Sequence, residues 1–117
     1  LEIAFSTESN LLPNRPFLYA SDKHIGIQLA APYACFDWTS NQIIPAEVVS
    51  KQNNEGQIAE VKIAWSDLKV NPWKVGGNYN FEFALDMALS STNRDQQQRW
   101  SAVNDENFYN KPASWGY

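Results

Sequence analysis

One cysteine, one histidine and one methionine occur in 117 residues, and each scarcity removes a class of chemistry. With Cys35 alone, no intrachain disulfide can form. A zinc site built from several Cys or His ligands is excluded by count. Cys–His or Ser–His–Asp catalysis would have to rest on His24 as its one imidazole. No apolar run approaches the roughly 18 residues that a membrane-spanning helix needs. A basic segment followed by an apolar one is missing from the N-terminus, so no signal peptide is visible. There is no Asn-x-Ser/Thr acceptor, which favours a bacterial or non-glycosylated protein. Basic residues are also in the minority: 9 Lys and Arg against 13 Asp and Glu leave a net charge of -4. Nucleic acid and anionic membranes reward a basic surface, so neither is the expected partner.

What is present is apolar alternation in short runs. With 44% hydrophobic residues, residues 1–117 are expected to form one domain with a modest core. Leu1, Ile3 and Phe5 alternate with period two, as do Ile25, Ile27 and Leu29. Segments 33–38 and 46–50 read as further short strands. Asn53-Asn54-Glu55-Gly56 is a turn between strands. The clearest core face is Ala59, Val61, Ile63 and Trp65, with Glu60 and Lys62 opposite. Ser66 is placed to cap one helical turn, which Pro72, Gly76 and Gly77 keep short. In 79–86, Tyr79, Phe81, Phe83 and Leu85 form the expected inward face, against Asn80, Glu82, Ala84 and Asp86. Segment 90–99 is polar and reads as a long loop or a short helix. Strands separated by regular turns predict an all-β, antiparallel, jelly-roll-like β-sandwich.

The segment 55–116 resembles the family 9 carbohydrate-binding modules and their wider group of carbohydrate-binding-like β-sandwich domains. The resemblance is carried by Gly56, Glu60, Ile63-Ala64-Trp65, Ser66-Asp67-Leu68, Pro72, the strand from Gly77 to Phe83, Trp100-Ser101, Tyr109, Pro112 and Trp115-Gly116, in that order. The family's first and last strands have no counterpart in 1–117, so the module is expected to be incomplete, part of a longer protein, or closed by a partner domain or chain. The resemblance implies a non-catalytic module that holds a terminal sugar unit of an oligo- or polysaccharide between aromatic side chains. It also implies an extracellular, periplasmic or cell-surface setting as a glycoside hydrolase accessory domain, often with structural calcium.

On that resemblance Tyr109 is the sugar-stacking ring, and Phe108 takes the role if the register slips by one. Trp100 is a second candidate ring, whereas Trp65 and Trp115 are expected in the core. Trp73, between Pro72 and Lys74, is a candidate exposed platform, and Trp38 lies in a segment without clean periodicity. Arg99, Asn107 and Asn110 flank the aromatics, together with Gln98, Asn104 and Asp105, and offer planar or charged groups to vicinal hydroxyls. For calcium, which needs several hard oxygen ligands, the candidates are Asp86, Asp95, Asp105 and Glu106, and none has EF-hand spacing. Glu60 and Glu82 are the carboxylates expected on the outward faces of neighbouring strands, with surface ion pairing as their expected role. Two other functions remain open: a structural or protein-docking sandwich, and a haem-binding sandwich ligated by Met87 and His24.

Overall fold

The structure, a computed structural model, describes residues 1–11, 15–87, 96–101 and 108–116. Among these it is all-β, in two antiparallel sheets. Strands β1 (Glu2–Phe5), β2 (Lys23–Gln28), β3 (Ala34–Asp37), β4 (Gln42–Ile43), β7 (Phe81–Met87) and β8 (Gln96–Arg99) form a six-stranded sheet in the order β4-β3-β2-β1-β7-β8. The other two, β5 (Glu47–Asn53) and β6 (Gly56–Lys62), form a hairpin. Its turn is set by Asn53, whose Oδ1 accepts the N–H groups of Glu55 and Gly56. Gly56 has φ +146°, a backbone conformation that side chains disfavour.

Register assigns the two faces of the large sheet. Ile3 pairs with Ile25 and Phe83, and Ile27 pairs with Cys35. These residues share the face that meets the hairpin. Phe5, Ile25, Ile27, Cys35, Ile44 and Leu68 are buried there, with Val48, Val61, Ile63 and Trp65 packed against them. Fully burying each such side chain stabilises the fold by about 1.5–3 kcal/mol. Trp73 belongs to the same layer. Its indole N–H donates to the Ser6 carbonyl at 2.9 Å, and its ring stacks on Tyr79 and meets Phe5 edge-on. It packs on this layer through one side of its ring and remains 37% exposed on the other.

Three local expectations are corrected. The helical turn Trp65–Leu68 has Ala64 at its N-cap and no side-chain cap, so Ser66 does not hold it. Gln96–Arg99 is a strand, because it pairs with 84–87 of β7. In and just before β7 both faces are covered: Asn80, Glu82 and Ala84 are buried on the face expected to be outward, Phe81 packs against the main core as expected, and Phe83 is 37% exposed. The physical reason lies in the C-terminal tail. Phe108 and Trp115 lie on Ala4 and Ala84 and close the second face of the sheet. Meanwhile the hairpin, only two strands wide, leaves Phe83 at its margin. Glu82 tolerates burial because its carboxylate accepts N–H groups from Phe83, Trp100 and Ser101. It is therefore no surface acid, and β7 neighbours β1 and β8 rather than Glu60's strand β6.

At one end of the covered face a buried ion pair joins β2 and β3. Lys23 Nζ lies 2.9 Å from Asp37 Oδ2. Asp37 also accepts the N–H groups of Thr39 and Ser40 and the Ser40 hydroxyl. Burial alone would raise the Asp37 pKa, but the bonds from Lys23 and Ser40 prevail and hold it below the ordinary aspartate value. Burial, reinforced by Asp37, pushes the neighbouring Cys35 thiol up to about 11.

Asp37→Asn strands the Lys23 ammonium and is expected to cost about 3–5 kcal/mol in chemical denaturation. The stabilisation from Asp37 is complete above the ordinary aspartate pKa and lost as pH falls through the lowered folded value. The variant should therefore also lose part of the wild-type decline in stability at acid pH. Cys35 should resist iodoacetamide in the native protein at mildly alkaline pH and react on unfolding, as read by intact mass.

Candidate functional site

The second face of the six-stranded sheet carries a groove. Along β1, β2 and β3 the residues pointing to this face are Glu2, His24, Gly26, Gln28, Ala34 and Phe36, as the pairings Glu2↔Gly26 and Gly26↔Phe36 show. One cavity of about 590 Å³ is lined by Glu2, Leu18, His24, Trp38, Thr39, Tyr109 and Asn110. A second, of about 310 Å³, lies beside it and shares Glu2 and Trp38.

Each wall has a local cause. Trp38 follows β3, at the start of the turn that Asp37 organises by accepting from Thr39 and Ser40. Its backbone N–H donates to the His24 carbonyl, and Thr39 Oγ1 accepts the His24 N–H, so this turn is laced to β2. The indole lies over Gly26: a Cβ there would stand 2.6 Å from Trp38 Nε1. A glycine in mid-strand is thus explained by the close approach of a ring. Phe36 supports the indole edge-on, with centroids 4.5 Å apart. Trp38 is nonetheless 56% exposed.

The opposite wall comes from the tail. Phe108, at 1% exposure, anchors the 3₁₀ turn Phe108–Asn110. Trp115 Nε1 donates to the Phe108 carbonyl at 2.7 Å. With Phe108 fixed, Tyr109 projects into the groove at 37% exposure. The His24 ring stacks on Tyr109 with centroids 5.2 Å apart and 12° between planes, and on Trp38 at 6.2 Å and 30°. Glu2 Oε2 lies 3.0 Å from His24 Nε2, which fixes the imidazole orientation. Two exposed rings, both roughly parallel to His24, therefore stand in one cavity with Glu2, Thr39 and Asn110 at its edges.

The residues singled out from the sequence separate. Tyr109 and Asn110 are in the groove. Arg99 is on the same face, with its guanidinium over the Phe108 ring and Nε donating to Gln97. Asp86 lines the second cavity and accepts from Gln97 Nε2 at 2.7 Å. Phe108 is buried in the tail's core and cannot be the platform. Trp100 does not join Tyr109: it stacks with Phe83, on the face that meets the hairpin. Met87 alternates with Asp86 onto that same face, opposite His24, so the two cannot ligate one haem iron between them. Asn107, Asp95 and Asp105 lie outside the described residues. Among the described residues no cluster of three or more metal-ligating side chains occurs.

Sequence reasoning missed Trp38, Glu2 and the placing of His24 in the groove. One signal was available: a Gly inside the alternating strand His24–Leu29 marks a close approach by some other group. No family model, curated protein or solved structure matches this chain.

Trp38→Ala should leave thermal stability nearly unchanged, because most of the ring faces solvent. Phe108→Ala should cost about 3–5 kcal/mol. Equal losses in the two variants would contradict the division between a packed anchor and an exposed wall.

Proposed function

We propose that this domain is a non-catalytic carbohydrate-binding module whose sugar site is the cavity walled by Trp38 and Tyr109. The observation that carries the reading is that pair of exposed rings, both near-parallel to His24, in one cavity edged by polar groups. A pyranose offers apolar C–H faces to rings and hydroxyls to the rim. Stacking on rings with a polar edge suits such a ligand, and Thr39, Asn110 and Glu2 supply donors and acceptors. The resemblance of 55–116 to the family 9 modules supports the same ligand class and an extracellular or cell-surface setting. It does so through Tyr109 but not through Trp100 or Phe108. The non-catalytic reading is carried by that same resemblance. Calcium is a proposal carried by the resemblance alone.

A second reading, docking of a protein partner, is favoured by one specific observation. The hairpin covers the six-stranded sheet incompletely, leaving Phe83 and Trp100 stacked and partly bare. A partly bare aromatic patch near β8, an edge strand among the described residues, suits a partner that adds cover to the sheet.

Calorimetric titration against glucose, xylose, mannose, galactose and their oligomers, with and without calcium, separates these readings. Saturable binding is expected, weakened at least tenfold by Trp38→Ala and by Tyr109→Ala and unaffected by Trp100→Ala. A folded protein that binds no saccharide would sink the carbohydrate reading and leave the docking one.

A further inference from the structure

The cavity has a third wall, and it comes from neither the sheet nor the tail. Leu18 lines it together with Trp38 and Tyr109. It stands in the loop that leads into β2, where Phe17, Leu18 and Tyr19 are exposed apolar side chains in succession. We propose that Arg15, buried at 4% exposure, is the positioning residue of the sugar site. It locks this loop and the Tyr109 tail into one alignment, so that Leu18 and Tyr109 close on the ligand as a fixed pair. This rests on the sugar-binding reading above and adds to it a residue outside the cavity.

The loop is held on both sides of Leu18. Arg15 grips Asp22 with a two-bond fork, in which Nη1 donates to Oδ2 and Nη2 donates to Oδ1 at 2.8 Å. Nη1 also donates to the Phe17 carbonyl at 3.0 Å. Asp22 Oδ2 accepts the Tyr19 N–H at 2.7 Å, and the Asp22 N–H donates to the Tyr19 carbonyl at 3.0 Å. The backbone is thereby fixed at the residue before Leu18 and at the residue after it. Apolar side chains of the same volume would give comparable stability in place of a buried ion pair. They would hold neither the Phe17 carbonyl nor the Tyr19 N–H, so what the pair supplies is geometry.

The same guanidinium reaches the tail. Its Cζ lies 4.6 Å from the Tyr19 ring centroid on the loop and 5.6 Å from the Trp115 ring centroid on the tail, both within cation–π range. Trp115 in turn donates its indole N–H to the carbonyl of Phe108, the residue next to Tyr109. One path of contacts therefore runs from the Leu18 loop through Arg15, Trp115 and Phe108 to Tyr109. Both of its ends are in one cavity. Phe108 seats the tail on the sheet, and Arg15 sets where the loop meets it. Contact groups left loosely placed by their supporting residues lose affinity.

The test uses the full chain, with glucose, xylose, mannose and galactose and their disaccharides as probes. Arg15→Lys keeps a cation beside Asp22 but gives up the planar fork. Hydrogen exchange is followed by NMR at three places. The Tyr19 amide reads the loop, the Trp115 indole N–H reads the tail, and the β5–β6 amides read the fold. In Arg15→Lys the first two are expected to exchange at least fivefold faster, with the hairpin within twofold of wild type. The tightest saccharide should bind at least tenfold more weakly. Leu18→Ala should weaken the same saccharide at least threefold and leave the exchange rates unchanged. Should Arg15→Lys not fold, Arg15→Met combined with Asp22→Leu replaces the pair by apolar bulk and is held to the same thresholds. Faster exchange with wild-type affinity would overturn the positioning role and leave the sugar site standing, as would unchanged exchange at the Trp115 indole. Wild-type affinity in Leu18→Ala would remove the third wall. If the folded wild type binds no saccharide, the sugar reading falls and this inference with it, whatever the exchange rates.

Discussion

The groove-bearing face of this molecule depends on one packing event: Phe108 and Trp115 settling onto Ala4 and Ala84. Two alanines with no measurable exposure sit at the centre of the sheet, where larger side chains would hold the tail away. Because they are small, an aromatic ring can reach the sheet backbone and be enclosed. Phe108 then fixes the turn, its carbonyl accepts the Trp115 indole N–H, and Tyr109 is delivered to the groove. The Glu82 carboxylate works on the same side, tying β7 to the residues that follow β8 by accepting the N–H groups of Trp100 and Ser101. A buried carboxylate is costly unless it is so satisfied, and here it is.

The opposite wall has a different foundation. Trp38 is placed by backbone pairing to His24 and by the turn that Asp37 organises from within the covered core. Asp37 is thus shared between stability and function: it neutralises Lys23 on one side of the sheet and sets the approach of an exposed ring on the other. The groove is built on paired strands along β1–β3 and depends on a single seated anchor on the tail side.

The architecture was legible in the sequence because period-two alternation is a local signal. The strands near Leu1–Phe5, His24–Leu29 and Gln57–Trp65 all form, with boundaries shifted by one to three residues. The cover over the second face of β7 was not legible. Its aromatic positions look inward by hydropathy, yet burial of Asn80, Glu82 and Ala84 depends on a tail that arrives from 20 or more residues away. Likewise, Tyr109 was reachable through a resemblance in the tail, whereas Trp38 was not. Its role follows from a turn laced to β2, and nothing in its immediate neighbours announces that contact. Gly26 carried the hint, but a glycine says that something comes close without saying what.

The unequal construction of the two walls has a consequence for how such a module can diversify. The floor and one wall are sheet residues locked in register, where a change propagates to every pair along the strand. The other wall is a short tail that touches the sheet at a few anchoring side chains. Rewriting the residues around Phe108 while keeping that anchor would re-dimension the groove without disturbing the scaffold. A chain that keeps the alanine seat and the aromatic anchor can therefore change its tail-side wall and leave the folding core untouched.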